Sequence, residues 1–318
     1  LLVADKVKGE WQMWQTDVWV LLLFVLGLAW LDRRPWLAGA ALGLAVNIKY
    51  LPVLFLPYLI VRRRWGVVWW LVVFAVGFAV LPAVQRGWGR NLADWRVAID
   101  GIVAMTGARS IGSLAPVHAV TDSLSCSITS ALSRGLGPAG GFAVAAAVGM
   151  LCVVGLMVMY RRCGVPIFGL RDAAVDRFVT GAEWAGLLAL VLAFSPQTNT
   201  RHLYDSLLLT TAAVALVAFG PAKTWRVPLV LACLVLAAAF VFPRGSRTDE
   251  SARIATLNWL RWGGPCWALL TAGITLVATA VVTMRRLPKA VTEAPGGSGT
   301  HSRPGTPRSA DSAAGAKP

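Results

Sequence analysis

Apolar residues run along this chain in long blocks separated by short polar or basic connections. Blocks near 18–31, 65–84, 140–160, 178–194, 207–219, 227–242 and 265–284 each read as a membrane-crossing helix. Residues 35–61 behave differently. This 27-residue run is bracketed by Arg33 and Arg34 on one side and Arg62, Arg63 and Arg64 on the other, and Asn47, Lys49, Pro52 and Pro57 interrupt it. Positive charge beside a span is retained on the cytoplasmic face, so both ends of the run belong there. Each half is only about a dozen residues, roughly 18 Å of helix against roughly 30 Å of hydrocarbon. The pattern therefore predicts a re-entrant or broken hairpin over 36–61, whose turn NIKYLP lies at membrane depth and lines a protein cavity.

With that hairpin in place the remaining blocks alternate in direction with basic residues at their inner ends, including Arg161 and Arg162, Lys223 and Arg226, and Arg285 and Arg286. The long connection 85–138 falls outside. Its segment 91–105 spaces Leu92, Trp95, Ile99, Ile102 and Val103 by threes and fours, which predicts an amphipathic helix on the outer leaflet with Asn91 as N-cap. A second interfacial helix is expected in the outer loop before the last span, with Ile254, Leu257 and Leu260 on one side. From 293 the sequence is Gly-, Ser-, Pro- and Ala-rich, the composition of a disordered tail, here cytoplasmic. The expected fold is all-α and integral to the membrane: one membrane domain over 1–292, with about seven spans plus the hairpin, and a tail over 293–318.

Composition agrees with a membrane protein: 57% of residues are hydrophobic and 14% charged, with a mean hydropathy of +0.64. The net charge of +15 points to anionic lipid headgroups rather than nucleic acid, because the basic residues cluster at span ends and in the tail. Five cysteines without a CxxC pair and three scattered histidines give neither a metal site nor a disulfide framework by spacing. The motifs GxxxxGKS/T, HExxH and GxSxG are absent and no GxGxxG follows a strand, which argues against a nucleotide-using or hydrolytic soluble site. No cofactor is called for. The chain opens at Leu1 without methionine or a basic-plus-apolar leader, and is read as lacking an N-terminal part.

Lys49 is the first candidate for chemistry. An ammonium within an apolar segment meets an anion or snorkels to an interface, and a lipid phosphate is the natural counter-ion. The turn SPQTNTRHLYD, 195–205, concentrates polar groups between two spans. Arg201 suits phosphate and His202 can act as donor or acid–base group, although Arg201 and Asp205, four apart, could simply pair. Asp17, after Gln15 and Thr16, is either a helix N-cap or a carboxylate at the mouth of an outward-facing cavity.

WQTDVWVLLLFVLGLAW, AGAALGLAVNIKYLPVLFLPYLIVRRRW, SIGSL and FSPQTNTRHL, in that order over residues 11–215, resemble glycosyltransferase family 87. The Lys-x-x-Pro stretch with its RRRW is the most specific part. The resemblance implies a GT-C type multi-spanning enzyme that uses polyprenyl-phosphate sugars. Two stretches depart from the common pattern: Trp14-Gln15-Thr16-Asp17 stands for Gly-Gln-x-Asn, and Ala108-Arg109-Ser110-Ile111 for Asn-Gln-Ser-Leu. GT-C enzymes are expected to carry a catalytic carboxylate in the first outer loop, which this chain as read begins after, so Asp17 is the candidate within it.

The expected function is transfer of a hexose, mannose foremost, from a polyprenyl-phosphate donor to an extracytoplasmic glycolipid or envelope glycan, with inversion, in the cell membrane. Asp17 and His202 are the catalytic candidates, and Lys49 and Arg201 hold the donor phosphate. Gln15, Asn47, Ser110 and Asn199 line the substrate cavity, and no metal is assigned. A transporter or flippase of lipid-linked sugars is the alternative, but it should show two matching halves, and 18–160 and 178–284 do not repeat. A catalytically inactive membrane partner is the third reading.

Overall fold

The computed structural model describes residues 16–105, 119–123, 125–169, 173–196, 198–199, 202, 206–219, 226, 230 and 250–285. Among these the regular structure is entirely helical. The expected span 227–242, apart from Val230, and the tail 293–318 lie outside the described residues.

The chain folds first into α1 (Asp17–Trp30) and α2 (Pro35–Ile48), antiparallel helices of 14 residues each. Pro35 opens α2, where its missing N–H would have had no helical partner. Because the two helices have equal length and share a tight turn, the first residue of α1 comes level with the last of α2. Lys49 then leaves the helix in an extended conformation (φ −147°, ψ 134°). A 3-10 turn, Leu51–Leu54, and the short α3 (Phe55–Val61) carry the chain back to the level of Pro35. The next helix, α4 (Trp65–Val80), runs alongside α2 in the same direction. Pro35 faces Gly66, Gly39 faces Trp70 and Leu71, and Gly43 faces Ala75.

Gly39 and Gly43, one turn apart, explain how closely α2 and α4 approach. A Cβ on Gly39 would lie 2.4 Å from the Trp70 Cβ, and one on Gly43 2.8 Å from the Ala75 nitrogen. Only glycine admits this contact, the small-xxx-small device by which helices in lipid gain dispersion energy. Asn47 closes the seam, its amide donating to Gly43 O and Ala75 O, both at 2.9 Å.

Four helices follow α4 toward the loop and back: α5 (Pro82–Arg86), α6 (Trp88–Met105), α7 (Ile128–Cys163) and α8 (Ala173–Phe194). The amphipathic segment begins at Trp88, earlier than expected. Asn91 is therefore inside α6 rather than its N-cap, and its amide donates to Ala79 O at 3.1 Å. Leu92 and Ile99 are exposed. The block expected over 140–160 belongs to the 36-residue α7, which breaks at Gly137 (φ 75°, ψ 165°) before Pro138. Proline disfavours helical geometry in the residue before it, and glycine accepts the resulting conformation.

Beyond α8 come α9 (Ser206–Phe219), α10 (Glu250–Arg261) and α11 (Gly264–Arg285). Helices α8 and α11 cross at Gly186 and Gly273; a Cβ on Gly186 would fall 2.5 Å from Val277 Cγ2. The core between α1, α3 and α8 is aromatic. Phe24 and Phe55 each meet Trp184 edge to face, at centroid distances of 6.2 and 5.0 Å, and tilt against each other at 4.6 Å; all three are fully buried. Among the described residues three helices are long and apolar enough to cross a membrane, Trp65–Arg86, Ile128–Cys163 and Gly264–Thr283, and shorter apolar helices pack beside them. The chain is a membrane protein.

Candidate functional site

The bundle has two chemically distinct ends. At one, arginines gather around the α1–α2 turn, the end of α3 and the end of α7. Arg62 is buried there against Glu183: its Nη2 donates to Glu183 Oε1 and its Nη1 to the carbonyls of Pro166 (3.0 Å) and Ile167 (2.8 Å). The hydroxyls of Tyr58 (2.8 Å) and Tyr160 donate to the same carboxylate. This closed network latches the returning arm α3 to α8. Asp32 pairs with Arg64 at the same end, over the α1–α2 turn. An apolar cavity of about 300 Å³ lies beside the latch, lined by Pro57, Leu156, Met157, Ile274 and the crossing glycines 186 and 273.

The other end holds the sequence candidates. Asp17 is on the first turn of α1, where exposed backbone N–H groups favour a carboxylate. Thr16, not Asp17, occupies the N-cap position, so the capping role falls away. Asp17 is 4% exposed, a burial that demands a partner for its charge. Lys49 supplies it: the Nζ pairs with Asp17 Oδ1. The break after Ile48 is what aims this lysine inward across the top of α1.

His202 approaches the same carboxylate from a third direction, its Nε2 3.6 Å from Asp17 Oδ2. The distance is too long for a hydrogen bond. Its other nitrogen, Nδ1, accepts the Asn199 backbone N–H at 3.2 Å, which places the proton of a neutral ring on Nε2, toward Asp17. The connection after α8 is fixed in turn by α7 and the segment before it. Thr129 Oγ1 donates to Phe194 O (2.6 Å), Ser125 Oγ to Pro196 O (2.8 Å), and the Cys126 N–H to Thr198 O (2.9 Å).

The structure thus brings Asp17, Lys49 and His202 together, with Asn199 orienting the histidine through its backbone. Asn47 lies two positions before Lys49, but its amide is engaged in the α2–α4 seam. Gln15, Ser110 and Arg201 lie outside the described residues. Sequence reasoning missed Tyr50 and Ser195, which are hydrogen-bonded through their side chains between the hairpin break and the end of α8. The signal was there in part, since Tyr50 follows Lys49 and Ser195 opens the polar turn. It also missed the Glu183 latch, whose members are spread over four segments.

The model of glycosyltransferase family 87 matches residues 10–190, more than half of the chain, and this span contains both Asp17 and Lys49. The chain belongs to glycosyltransferase family 87. No curated protein and no solved structure matches it. Family membership carries the general activity: a membrane glycosyltransferase that joins a sugar donor to an acceptor at the lipid bilayer. The arrangement at the polar end suits such a transfer, because a carboxylate that can take a proton and an ammonium that can meet a leaving anion stand side by side.

Proposed function

We propose that the protein is a GT-C type enzyme that transfers mannose or a similar hexose, with inversion, from a polyprenyl-phosphate donor to an extracytoplasmic glycolipid or envelope glycan. The observation that carries this reading is the buried Asp17 carboxylate held between Lys49 and His202. The arginine-bearing end is the cytoplasmic one, by the rule that positive charge stays inside, and the Asp17 end therefore faces outward. The topology has about seven spans, and the tail from 293 lies in the cytoplasm.

Transfer needs a base for the acceptor hydroxyl and a counter-charge for the departing phosphate. Asp17 is the base. As the acceptor oxygen bonds to the anomeric carbon, its proton passes to the carboxylate and the carbon–oxygen bond to phosphate breaks. Lys49 serves both sides. Without donor it neutralises the buried carboxylate; with donor its ammonium turns to the phosphate, leaving Asp17 to take the proton. His202 donates from Nε2 to the sugar or acceptor, and Arg201 assists at the phosphate. Gln15, Ser110 and Asn199 belong to the surrounding cavity, whereas Asn47 ties the α2–α4 seam.

The test is transfer from radiolabelled polyprenyl-phosphate mannose in membranes containing the full-length protein. Asp17→Asn should lower the rate by about 100-fold or more, the usual contribution of a general base, with membrane insertion unchanged. Lys49→Ala should abolish transfer and weaken donor binding. Ordinary rates in Asp17→Asn remove the carboxylate from the mechanism, and failure of the wild type with every mannose donor refutes the donor assignment.

A further inference from the structure

We propose that Cys126 and Cys266 form a disulfide that staples the segment before α7 to the start of α11, bracing the connection that carries His202. The two sulfurs stand 4.0 Å apart, and their positions in the chain differ by 140. Both residues are buried, at 1% and 0% exposure. Bond formation draws the sulfurs together by about 2 Å, to the roughly 2 Å of a disulfide bond.

The pairing does not rest on the sulfurs alone, because the two backbones are independently held together. Gly263 has φ +73°, and a Cβ there would lie 3.2 Å from Cys126 O and 3.1 Å from Ser127 O, so glycine permits this approach. Arg134 clamps the same segments. Its Nη1 donates to Asp122 O (2.8 Å) and Ser125 O (3.1 Å), and its Nη2 to Arg261 O. The Cys126 N–H meets Thr198 O, one residue before Asn199, whose own N–H orients His202. A covalent link at Cys126 therefore fixes the strut against which the histidine is set.

The pair lies at the end opposite the arginine rows. This inference rests on the outward placement of that end under the proposed function, since disulfides persist in oxidising compartments. The oxidant is the disulfide of a thiol–disulfide oxidoreductase. One cysteine thiolate attacks it to give a mixed disulfide, and the second displaces the oxidoreductase sulfur. The new bond is Cys126 Sγ–Cys266 Sγ, and the oxidoreductase disulfide is reduced to two thiols, which take up the two protons that the cysteines release. Both sulfurs are sealed in the finished bundle, so exchange precedes its closure.

The experiment is differential alkylation of the wild-type protein in membranes. The sample is acid-quenched, denatured with one maleimide without reductant, then reduced and treated with a second, and mapped by mass spectrometry. Cys126 and Cys266 should carry only the second label, and the unreduced digest should contain their two peptides joined. Cys126→Ser should move Cys266 to the first label. First-label modification of both residues in the wild type overturns the proposal. Orientation is read separately from Cys163, at the arginine end: a membrane-impermeant maleimide should reach it in inside-out vesicles only. Labelling in right-side-out vesicles instead refutes the outward placement, so failure of the disulfide and failure of the topology are told apart.

Discussion

Replacing Glu183 with alanine should be among the most damaging single changes in the bundle. The carboxylate is 7% exposed and receives Arg62 and the hydroxyls of Tyr58 and Tyr160. Its loss leaves a guanidinium 8% exposed in apolar surroundings, which breaking a buried pair makes costly by about 3–5 kcal/mol. Arg62 keeps its bonds to Pro166 O and Ile167 O, and the two hydroxyls can reorient, so about 4 kcal/mol is the working value, or roughly a thousandfold in the folding equilibrium. Removing both charges should hurt less than removing one, because an apolar pair leaves no orphan charge. The assay is a double-mutant cycle of Glu183→Leu and Arg62→Met, followed by SDS unfolding in bicelles, with Glu183→Ala measured beside it. Coupling should be at least about 2 kcal/mol. Purely additive effects, or a Glu183→Ala loss under about 0.5 kcal/mol, would refute the view that this network is what latches α3 to α8.

Two further substitutions test the packing that positions the site. Gly39→Val places a side chain 2.4 Å from Trp70 Cβ, so α2 and α4 must part by about 1 Å; transfer should fall roughly 100-fold although the change is about 15 Å along the helix from Lys49, and unchanged rates would show that the seam does not set the lysine. Trp184→Ala should lower stability by about 3–5 kcal/mol. Trp184→Phe should cost far less, because it keeps the aromatic contacts and deletes an indole N–H that is buried without a partner among the described residues; equal losses on thermal denaturation in detergent would mean that N–H is satisfied after all.

The helical class and most helix positions were legible in the sequence because long apolar runs and their arginine borders carry that information directly. Lys49 stood out for the same reason, as a charge where charge is expensive. Its partner was harder to see. The contact with Asp17 follows from two 14-residue helices meeting at a tight turn, so it was readable from run lengths, yet the local preference of aspartate for N-caps offered a competing role at a position that Thr16 occupies. Asn91 misled similarly, because a good capping residue lay three positions inside the helix that begins at Trp88. Some features were not locally encoded at all. The latch joins Tyr58, Arg62, Tyr160 and Glu183 through the way α3, α7 and α8 pack, and the Cys126–Cys266 contact closes over 140 positions, where spacing rules have no reach.

The break at Lys49 also sets a depth. From Pro35 to Ile48 the helix climbs about 21 Å, and hydrocarbon is about 30 Å thick. If the arginine row marks one surface, the Asp17–Lys49 pair stands some 9 Å short of the other. An enzyme built this way is tuned to the thickness of its bilayer. Thinner membranes bring the lipid phosphates down toward the ammonium, and thicker ones lift them away, at a modest energetic cost for each ångström of mismatch. Turnover measured across vesicles of graded acyl-chain length should therefore pass through an optimum, a property that soluble glycosyltransferases have no means to acquire.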